Sequence, residues 1–188
     1  MSSSNEVEVK FRVGDVAQLE QKLRDSGFRH VTPRTHEMNT LYDAPGHPLR
    51  DRGEVLRIRR YGDKWKLTHK SKGTTGRHKS RREIETTVAD GDKLAAVFEA
   101  LGFTPCFRYE KYRAEWSDDT GHVVIDETPI GNLAEIEGPP EWIDGIAAKL
   151  GIAHVDYITD SYVALFFQWK NETGSAAKEM TFAAVERP

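Results

Sequence analysis

Charged and apolar residues alternate along several short segments, and no other feature limits so strongly how this chain can fold. In residues 6–13 every even position is charged and every odd position is apolar. The same period of two recurs in residues 55–61, 64–70, 81–88, 108–116, 122–128 and 133–137. A period of two is typical of β-strands, whose successive side chains point to opposite faces. The chain is therefore predicted to form seven or eight strands with one charged face.

Amphipathic helices are predicted between and after these strands. They lie between Asp15 and Gly27, between Asp92 and Gly102, and near residues 141–150 and 156–169. Aspartate is a common N-cap residue and glycine a common C-terminal one, so these residues set the ends of the first two helices. Each helix has an apolar stripe that needs a partner surface.

The helices decide which face of the strands points inward. If the apolar strand faces filled a closed interior, the helices would have little apolar surface left to cover. If the helices cover the outside instead, the apolar faces point outward to meet them. The charged faces then point at one another, and we expect a barrel with a charged lumen.

The side chains predicted to face this lumen carry both signs of charge. The acids are Glu6, Glu8, Glu83, Glu85, Asp126, Glu135 and Glu137. The bases are Lys10, Arg57, Arg59, Lys66, Lys70, Lys111 and Arg113. Burying so many charges is costly unless they are paired or hold a ligand. Surplus carboxylates favour a hard cation such as Mg²⁺ or Mn²⁺, and clustered Lys and Arg favour a polyanion, so the set indicates a metal–polyphosphate site.

Composition excludes several other classes of protein. The chain has 27 Lys and Arg against 30 Asp and Glu, a net charge of −3, which argues against a nucleic-acid binder. No apolar run approaches the ~20 residues of a membrane span, and no signal peptide is recognisable, so we expect a cytoplasmic protein with no membrane partner. Cys106 is the single cysteine, which excludes an internal disulfide. Flat antiparallel edges and exposed aromatic residues allow a homodimer.

Two segments without a clear period complete the domain prediction. Residues 71–80 are polar, basic and glycine-containing, and are predicted to be a mobile loop. Residues 1–170 are predicted to form a single domain, and residues 171–188 a flexible C-terminal tail.

The segment Glu6-Val7-Glu8-Val9-Lys10 opens an ordered series of short motifs. The others are Leu41-Tyr42-Asp43, Leu56-Arg57-Ile58-Arg59, Leu67-Thr68-His69-Lys70, Arg81-Arg82-Glu83-Ile84-Glu85, Lys111-Tyr112-Arg113, Val124-Ile125-Asp126 and Glu135-Ile136-Glu137-Gly138. This series resembles the CYTH superfamily, also called triphosphate tunnel metalloenzymes, whose signature is E-x-E-x-K. The resemblance covers about residues 5–169. The signature alone is weak, whereas the ordered set is specific.

The resemblance implies an α+β fold in which an eight-stranded antiparallel β-barrel forms a charged tunnel, with amphipathic helices packed on the outside. The implied metal ligands are Glu6, Glu8, Asp126, Glu135 and Glu137. The implied triphosphate ligands are Lys10, Arg57, Arg59, Lys70, Lys111 and Arg113. Glu83 and Glu85 complete the acidic set, and the catalytic residues would be Glu6, Glu8, Lys10 and Glu137.

Family members include class IV adenylyl cyclases, thiamine triphosphatases and inorganic tripolyphosphatases. We therefore expect metal-dependent hydrolysis of a small triphosphate: inorganic tripolyphosphate, thiamine triphosphate or a nucleoside triphosphate. One alternative is an adenylyl cyclase that converts ATP to cyclic AMP and pyrophosphate. A second alternative is a non-catalytic module that binds polyphosphate or a nucleotide.

Overall fold

The computed structural model describes residues 3–185, and nine β-strands form its framework. They are β1 (Ser3–Arg12), β2 (Arg29–Asp43), β3 (Val55–Tyr61), β4 (Lys64–Lys70), β5 (Thr74–Thr75), β6 (Lys79–Val88), β7 (Thr104–Ser117), β8 (His122–Thr128) and β9 (Gly131–Glu137). Eight of them pair antiparallel in the order β1-β9-β8-β7-β2-β3-β4-β6, and β6 pairs back with β1. The short strand β5 pairs with β6 beside this closed ring. The predicted α+β class and eight-stranded barrel are confirmed.

Helices cover the outside of the barrel. They are α1 (Val16–Asp25), α2 (Pro48–Asp51), α3 (Gly91–Ala100), α4 (Pro140–Leu150), α5 (Tyr162–Thr173) and α6 (Phe182–Val185), with a 3-10 turn at His154–Asp156. Leu23 of α1 and Leu150 of α4 pack on Phe11, Trp116 and Ile136, which are outward-facing apolar residues of the barrel. No helix formed by residues 3–185 combines the length and the apolar character needed to span a bilayer.

One strand and one helix cap differ from the sequence prediction. Strand β2 runs for 15 residues, although its alternation is recognisable only near Tyr42, because register shifts on either side of Thr32 break the period of two. Asp90 is the N-cap of α3: its side chain accepts a hydrogen bond from the Lys93 amide at 2.9 Å. The expected cap, Asp92, lies in the first turn instead.

The segment predicted to be a mobile loop, residues 71–80, is partly strand. It contains β5 and the first two residues of β6, and Lys79 pairs with Glu8 of β1. The polar composition of residues 71–80 predicts a loop. Lys79 is polar for another reason, because its side chain faces the charged cavity. The loop prediction is therefore wrong for residues 74–75 and 79–80.

The C-terminal segment of residues 174–185, here called the C-terminal strap, lies against β7. Strand β8 pairs only with the second half of β7, from Tyr112 onward, so the first half of β7 has a free edge there. The Met180 amide donates to the Arg108 carbonyl and the Glu110 amide donates to the Met180 carbonyl, both at 3.0 Å. Met180 is fully buried. This part of the predicted flexible tail is thus in contact with the barrel, because an apolar side chain and a free strand edge meet.

Candidate active site

The barrel encloses a cavity of about 340 Å³ whose wall is mostly charged. Twelve of the thirteen predicted site residues line it: Glu6, Glu8, Lys10, Arg57, Arg59, Lys70, Glu83, Glu85, Lys111, Arg113, Glu135 and Glu137. The charged strand faces therefore point inward, as the helix argument predicted. Their functional roles stay predictions.

Two neighbouring strands, β1 and β9, supply an acidic wall made of Glu6, Glu8, Glu135 and Glu137. In the strand register Glu8 lies opposite Glu137, and Lys10 lies opposite Glu135. The Lys10 ammonium is 2.7 Å from Glu8 and 3.2 Å from Glu135. This lysine lies between two carboxylates from adjacent strands and offsets part of their mutual repulsion.

Lys70 compensates the outer part of the acidic wall. Its ammonium lies 2.7 Å from both carboxylate oxygens of Glu6 and 2.9 Å from Glu83. No ion pair to Glu137 is present among residues 3–185. Glu137 is therefore the one carboxylate of the acidic wall without an ion pair within these residues.

The pKa values follow this difference in pairing. Partial desolvation, together with the nearby carboxylates of Glu6, Glu135 and Glu8, raises the pKa of Glu137 to about 7. Burial also raises the pKa of Glu6, against the opposing effect of Lys70. At Glu8 burial acts in the same direction, but the charges of Lys10, Lys70 and Lys79 together outweigh it and lower the pKa. An added cation beside Glu6 and Glu137 would relieve the repulsion that raises their pKa values.

Strand β3, across the barrel from β9, supplies an arginine wall made of Arg57 and Arg59. Arg59 donates to Glu85 at 2.8 Å and to Glu37 at 3.4 Å. Arg57 donates to the hydroxyls of Tyr109 at 3.2 Å and Thr68 at 3.3 Å. Both guanidinium groups are thus fixed from behind by side chains of neighbouring strands.

Three arginine side chains keep an unused donor at this cavity. The Nε atoms of Arg57, Arg59 and Arg81 are buried and have no hydrogen-bond partner within residues 3–185. Buried donors are normally paired, because a buried unpaired polar group costs free energy. Three such donors belong to residues that line one cavity, and an anionic ligand there would satisfy them.

Asp126 is the one predicted site residue that does not line the cavity. Its carboxylate is fully buried behind the wall and accepts hydrogen bonds from Lys111 at 2.9 Å, from both Nε and Nη2 of Arg113, and from the Tyr162 hydroxyl. These bonds occupy both of its oxygens. Asp126 is therefore placed to orient Lys111 and Arg113 rather than to contact a ligand directly.

Sequence reasoning missed five residues of the site. They are Glu37, Lys79, Arg81, Tyr109 and Tyr162. Lys79, Arg81 and Tyr109 have the same strand parity as predicted lining residues, so parity alone could have identified them. Glu37 lies in the unrecognised part of β2, and Tyr162 lies on a helix, for which strand parity gives no signal.

Two of these residues, Glu37 and Lys79, have pKa values that their charged neighbours shift. Glu37 is fully buried between Arg59 and Lys111, and although burial opposes ionisation, Lys111, Arg113 and Arg59 hold its pKa well below the usual range. Burial and the neighbouring Lys10 charge lower the pKa of Lys79 to about 8. The fixed negative charge beneath Arg59 keeps that arginine in place without filling the cavity.

Helix α5 closes one end of the cavity. Its N-cap Ser161 and its first two residues, Tyr162 and Val163, line the wall, and the Tyr162 ring lies 4.3 Å from the Lys111 ammonium. Ile158, four residues before the helix, exchanges two backbone hydrogen bonds with Lys10, at 2.8 and 2.9 Å. The helix start is thereby fixed onto β1.

The carboxylates of the acidic wall offer oxygen ligands for a divalent cation. Within residues 3–185 no three His, Cys, Asp or Glu side chains come together at the distances of metal coordination. The acidic wall nevertheless has the right chemistry, since its four carboxylates offer hard oxygen ligands and two of them have raised pKa values. The residues fit a cation that would draw Glu6 and Glu137 toward it in place of lysine or protons.

Comparisons with known proteins agree with this geometry. The CYTH domain matches residues 4–162 of the chain. A Methanocaldococcus jannaschii protein, provisionally named an adenylate cyclase, is 26% identical over 133 residues, which are 70% of this chain and 75% of the relative.

Solved structures share the barrel. One from Vibrio parahaemolyticus, also provisionally named an adenylate cyclase, has a TM-score of 0.79 at 18% identity and covers 88% of this chain and 99% of its own. A Hippeastrum protein, described as a provisional adenylyl cyclase with a dominant triphosphatase activity, has a TM-score of 0.63 at 22% identity, with 87% and 95% covered. Both similarities show the fold.

Proposed function

The chain belongs to the CYTH domain family, and from this premise we propose that it is a divalent-metal-dependent phosphohydrolase that cleaves a small triphosphate inside the barrel. The observation that carries the proposal is that, among the described residues, arginine donors and a carboxylate without partners lie at the same cavity. Within residues 3–185 three buried arginine Nε donors have no hydrogen-bond partner, and Glu137 of the acidic wall has no ion pair and a raised pKa. A triphosphate with its metal ion supplies both.

The chain's own residues bind and orient the phosphates. Arg57, Arg59 and Arg81 donate their free Nε–H groups to phosphate oxygens, and arginine suits these contacts because its planar fork matches phosphate geometry. Lys111 and Arg113, held by Asp126, add positive charge at the closed end. These groups offset the roughly three to four negative charges of a triphosphate near neutral pH.

The acidic wall is the proposed site of Mg²⁺ or Mn²⁺, held by Glu6, Glu8, Glu135 and Glu137. When bound there, the ion would neutralise phosphate charge and lower the pKa of a coordinated water. Lys10 lies between Glu8 and Glu135 and keeps these two carboxylates ionised and oriented.

The proposed reaction is attack of water on the terminal phosphorus. The bond from that phosphorus to its bridging oxygen breaks, the bridging oxygen leaves with its electron pair as part of a diphosphate, and the water proton is released. Inorganic phosphate and the diphosphate-bearing product result.

A second candidate function is adenylyl cyclase chemistry, which the name of the Methanocaldococcus jannaschii relative favours. In that reaction the 3′-hydroxyl of ATP attacks the α-phosphorus and pyrophosphate leaves. The same cavity suits both reactions, because the position of the phosphates along the acidic wall selects the bond that breaks.

A substrate panel tests the proposal. The protein is incubated with tripolyphosphate, thiamine triphosphate or ATP, each with Mg²⁺, Mn²⁺ or EDTA, and released phosphate and cyclic AMP are measured. Hydrolysis predicts phosphate that disappears with EDTA, and cyclase chemistry predicts cyclic AMP and pyrophosphate from ATP. Tight binding by calorimetry with neither product would instead indicate the non-catalytic module and overturn the proposal.

A further inference from the structure

Arg57 differs from the other cavity arginines in what holds it. Its two Nη atoms donate to neutral hydroxyls, those of Tyr109 and Thr68. Its nearest carboxylate, Glu85, is 4.0 Å away. By contrast, Arg59 and Arg113 contact carboxylates at 2.8 Å or less.

Neutral partners have an electrostatic consequence. A carboxylate that fixes an arginine also cancels much of its charge, whereas a hydroxyl fixes its geometry and leaves the charge available. Arg57 is about nine-tenths buried, and its Nε has no partner within residues 3–185. It is therefore held in one orientation with no carboxylate within hydrogen-bond distance in residues 3–185 and with a free Nε donor.

Tyr109 is itself held on several sides. Its ring is buried and stacks on Tyr162, with ring centres 5.8 Å apart and planes within 17°. Behind it, the backbone of Met180 in the C-terminal strap bonds to Arg108 and Glu110, the two residues flanking Tyr109. The hydroxyl that contacts Arg57 thus belongs to a side chain with little freedom to move.

We propose that Tyr109 is a positioning residue, which orients Arg57 for the triphosphate through its hydroxyl and is held in place by the C-terminal strap. This inference rests on the proposed function for its ligand, because Arg57 would be the group that contacts phosphate. Tyr109 acts through Arg57 and takes no part in the bond-breaking step.

The test is a double-mutant cycle with Tyr109→Phe and Arg57→Gln, assayed on the best substrate of the panel. Phenylalanine keeps the ring stacking and removes only the hydroxyl. We expect KM to rise about fivefold in Tyr109→Phe, less than for loss of a direct charge-assisted contact because the hydroxyl acts through Arg57, with kcat changed less than about twofold. In the Arg57→Gln background the same substitution should change KM by less than about twofold. An equal rise in both backgrounds overturns the proposal.

A matched control separates this role from general packing. Tyr157→Phe also removes a tyrosine hydroxyl, but that hydroxyl bonds to Asp144 outside the cavity. It should leave KM unchanged. If Tyr109→Phe lowers the melting temperature and leaves KM unchanged, Tyr109 is structural and the inference is wrong.

A second measurement decides the question even if the protein hydrolyses nothing. The ¹⁵Nε relaxation of the Arg57 side chain, recorded by NMR without ligand, reports how rigidly the guanidinium is held. We expect a lower order parameter in Tyr109→Phe than in the wild type and in Tyr157→Phe. Unchanged order overturns the positioning role, whereas absent turnover in the wild type overturns only the proposed function.

Discussion

The acidic wall and the arginine wall of the cavity differ in how their charges are compensated. On the acidic wall the side chains repel one another, and Lys10 and Lys70 neutralise only part of the charge, so Glu137 has a raised pKa. On the arginine wall each guanidinium is supported from behind, Arg59 by carboxylates and Arg57 by hydroxyls. Within residues 3–185 the acidic wall therefore keeps one carboxylate, Glu137, without an ion pair, and the arginine wall keeps two Nε donors without a partner.

The small net charge of the whole chain therefore does not reveal that acidic and basic side chains lie on different sides of the cavity. The net charge is −3, yet one side of a 340 Å³ cavity gathers carboxylates and the opposite side gathers arginines. A ligand that contains both signs can contact the two sides together.

The largest expected effect comes from the acidic wall. Glu6→Gln removes one carboxylate that faces Lys70 and Glu137, and we expect turnover to fall by roughly 1000-fold, several kcal/mol of transition-state stabilisation. Phosphate release under saturating Mg²⁺ measures it. Glu20→Gln, on the exposed face of α1 and paired with Arg24, is the control and should retain full activity. Full activity in Glu6→Gln would remove this residue from the proposed metal site.

The next effect concerns the support of the arginine wall. Met180→Ala empties a fully buried position beside Tyr109 and should lower the free energy of unfolding by about 3 kcal/mol, measured by urea denaturation. Met38→Ala, at a half-buried position, should cost clearly less. If both substitutions cost the same small amount, the C-terminal strap does not stabilise the barrel.

The arginine wall should respond in substrate affinity rather than in the chemical step. Arg57→Gln removes a charged donor, and we expect KM to rise roughly 30-fold, as for loss of a charge-assisted hydrogen bond. The exposed Arg50→Gln is its control and should leave KM unchanged. A fall in kcat with constant KM would contradict the assignment of Arg57 to ground-state binding.

The smallest effect is the pH dependence of stability without metal. The pKa of Glu137 rises from 4.5 to about 7, so its stability contribution is fully present below pH 4.5 and is lost as pH rises through about 7. Glu137→Gln should therefore gain stability relative to the wild type between pH 5 and pH 8. Because Glu137 is exposed at the mouth, solvent screening limits the gain to about 1 kcal/mol or less. Thermal unfolding at several pH values measures it, and a difference that is constant with pH would contradict the shift.

Much of the fold could be predicted because its signal is local. Strands β3, β4 and β8 begin and end at the predicted residues, since strict alternation and flanking turns define them. Strand β2 could not be predicted in full, because its bulges depend on pairing with β7. The contact of the C-terminal strap with β7 could not be predicted either. It needs the free edge that the short strand β8 leaves along the first half of β7.

The candidate site was predicted where strand parity applies. Glu6, Glu8, Arg57 and Arg59 line the cavity because each shares a face with other charged residues of its strand. Asp126 lies on the predicted strand face, yet Lys111, Arg113 and Tyr162 donate hydrogen bonds to both of its carboxylate oxygens. Strand parity cannot reveal these contacts.

The sequence by itself determined which side chains share a face, because the two-residue repeat of a strand is a property of local backbone geometry. Which charged side chains contact one another depends on the tertiary structure. Barrel closure places Glu137 opposite Glu8 and Tyr109 beside Arg57, although these partners are far apart along the chain. Register and packing set those distances, and therefore decide which charges are neutralised within the protein and which are left for a ligand.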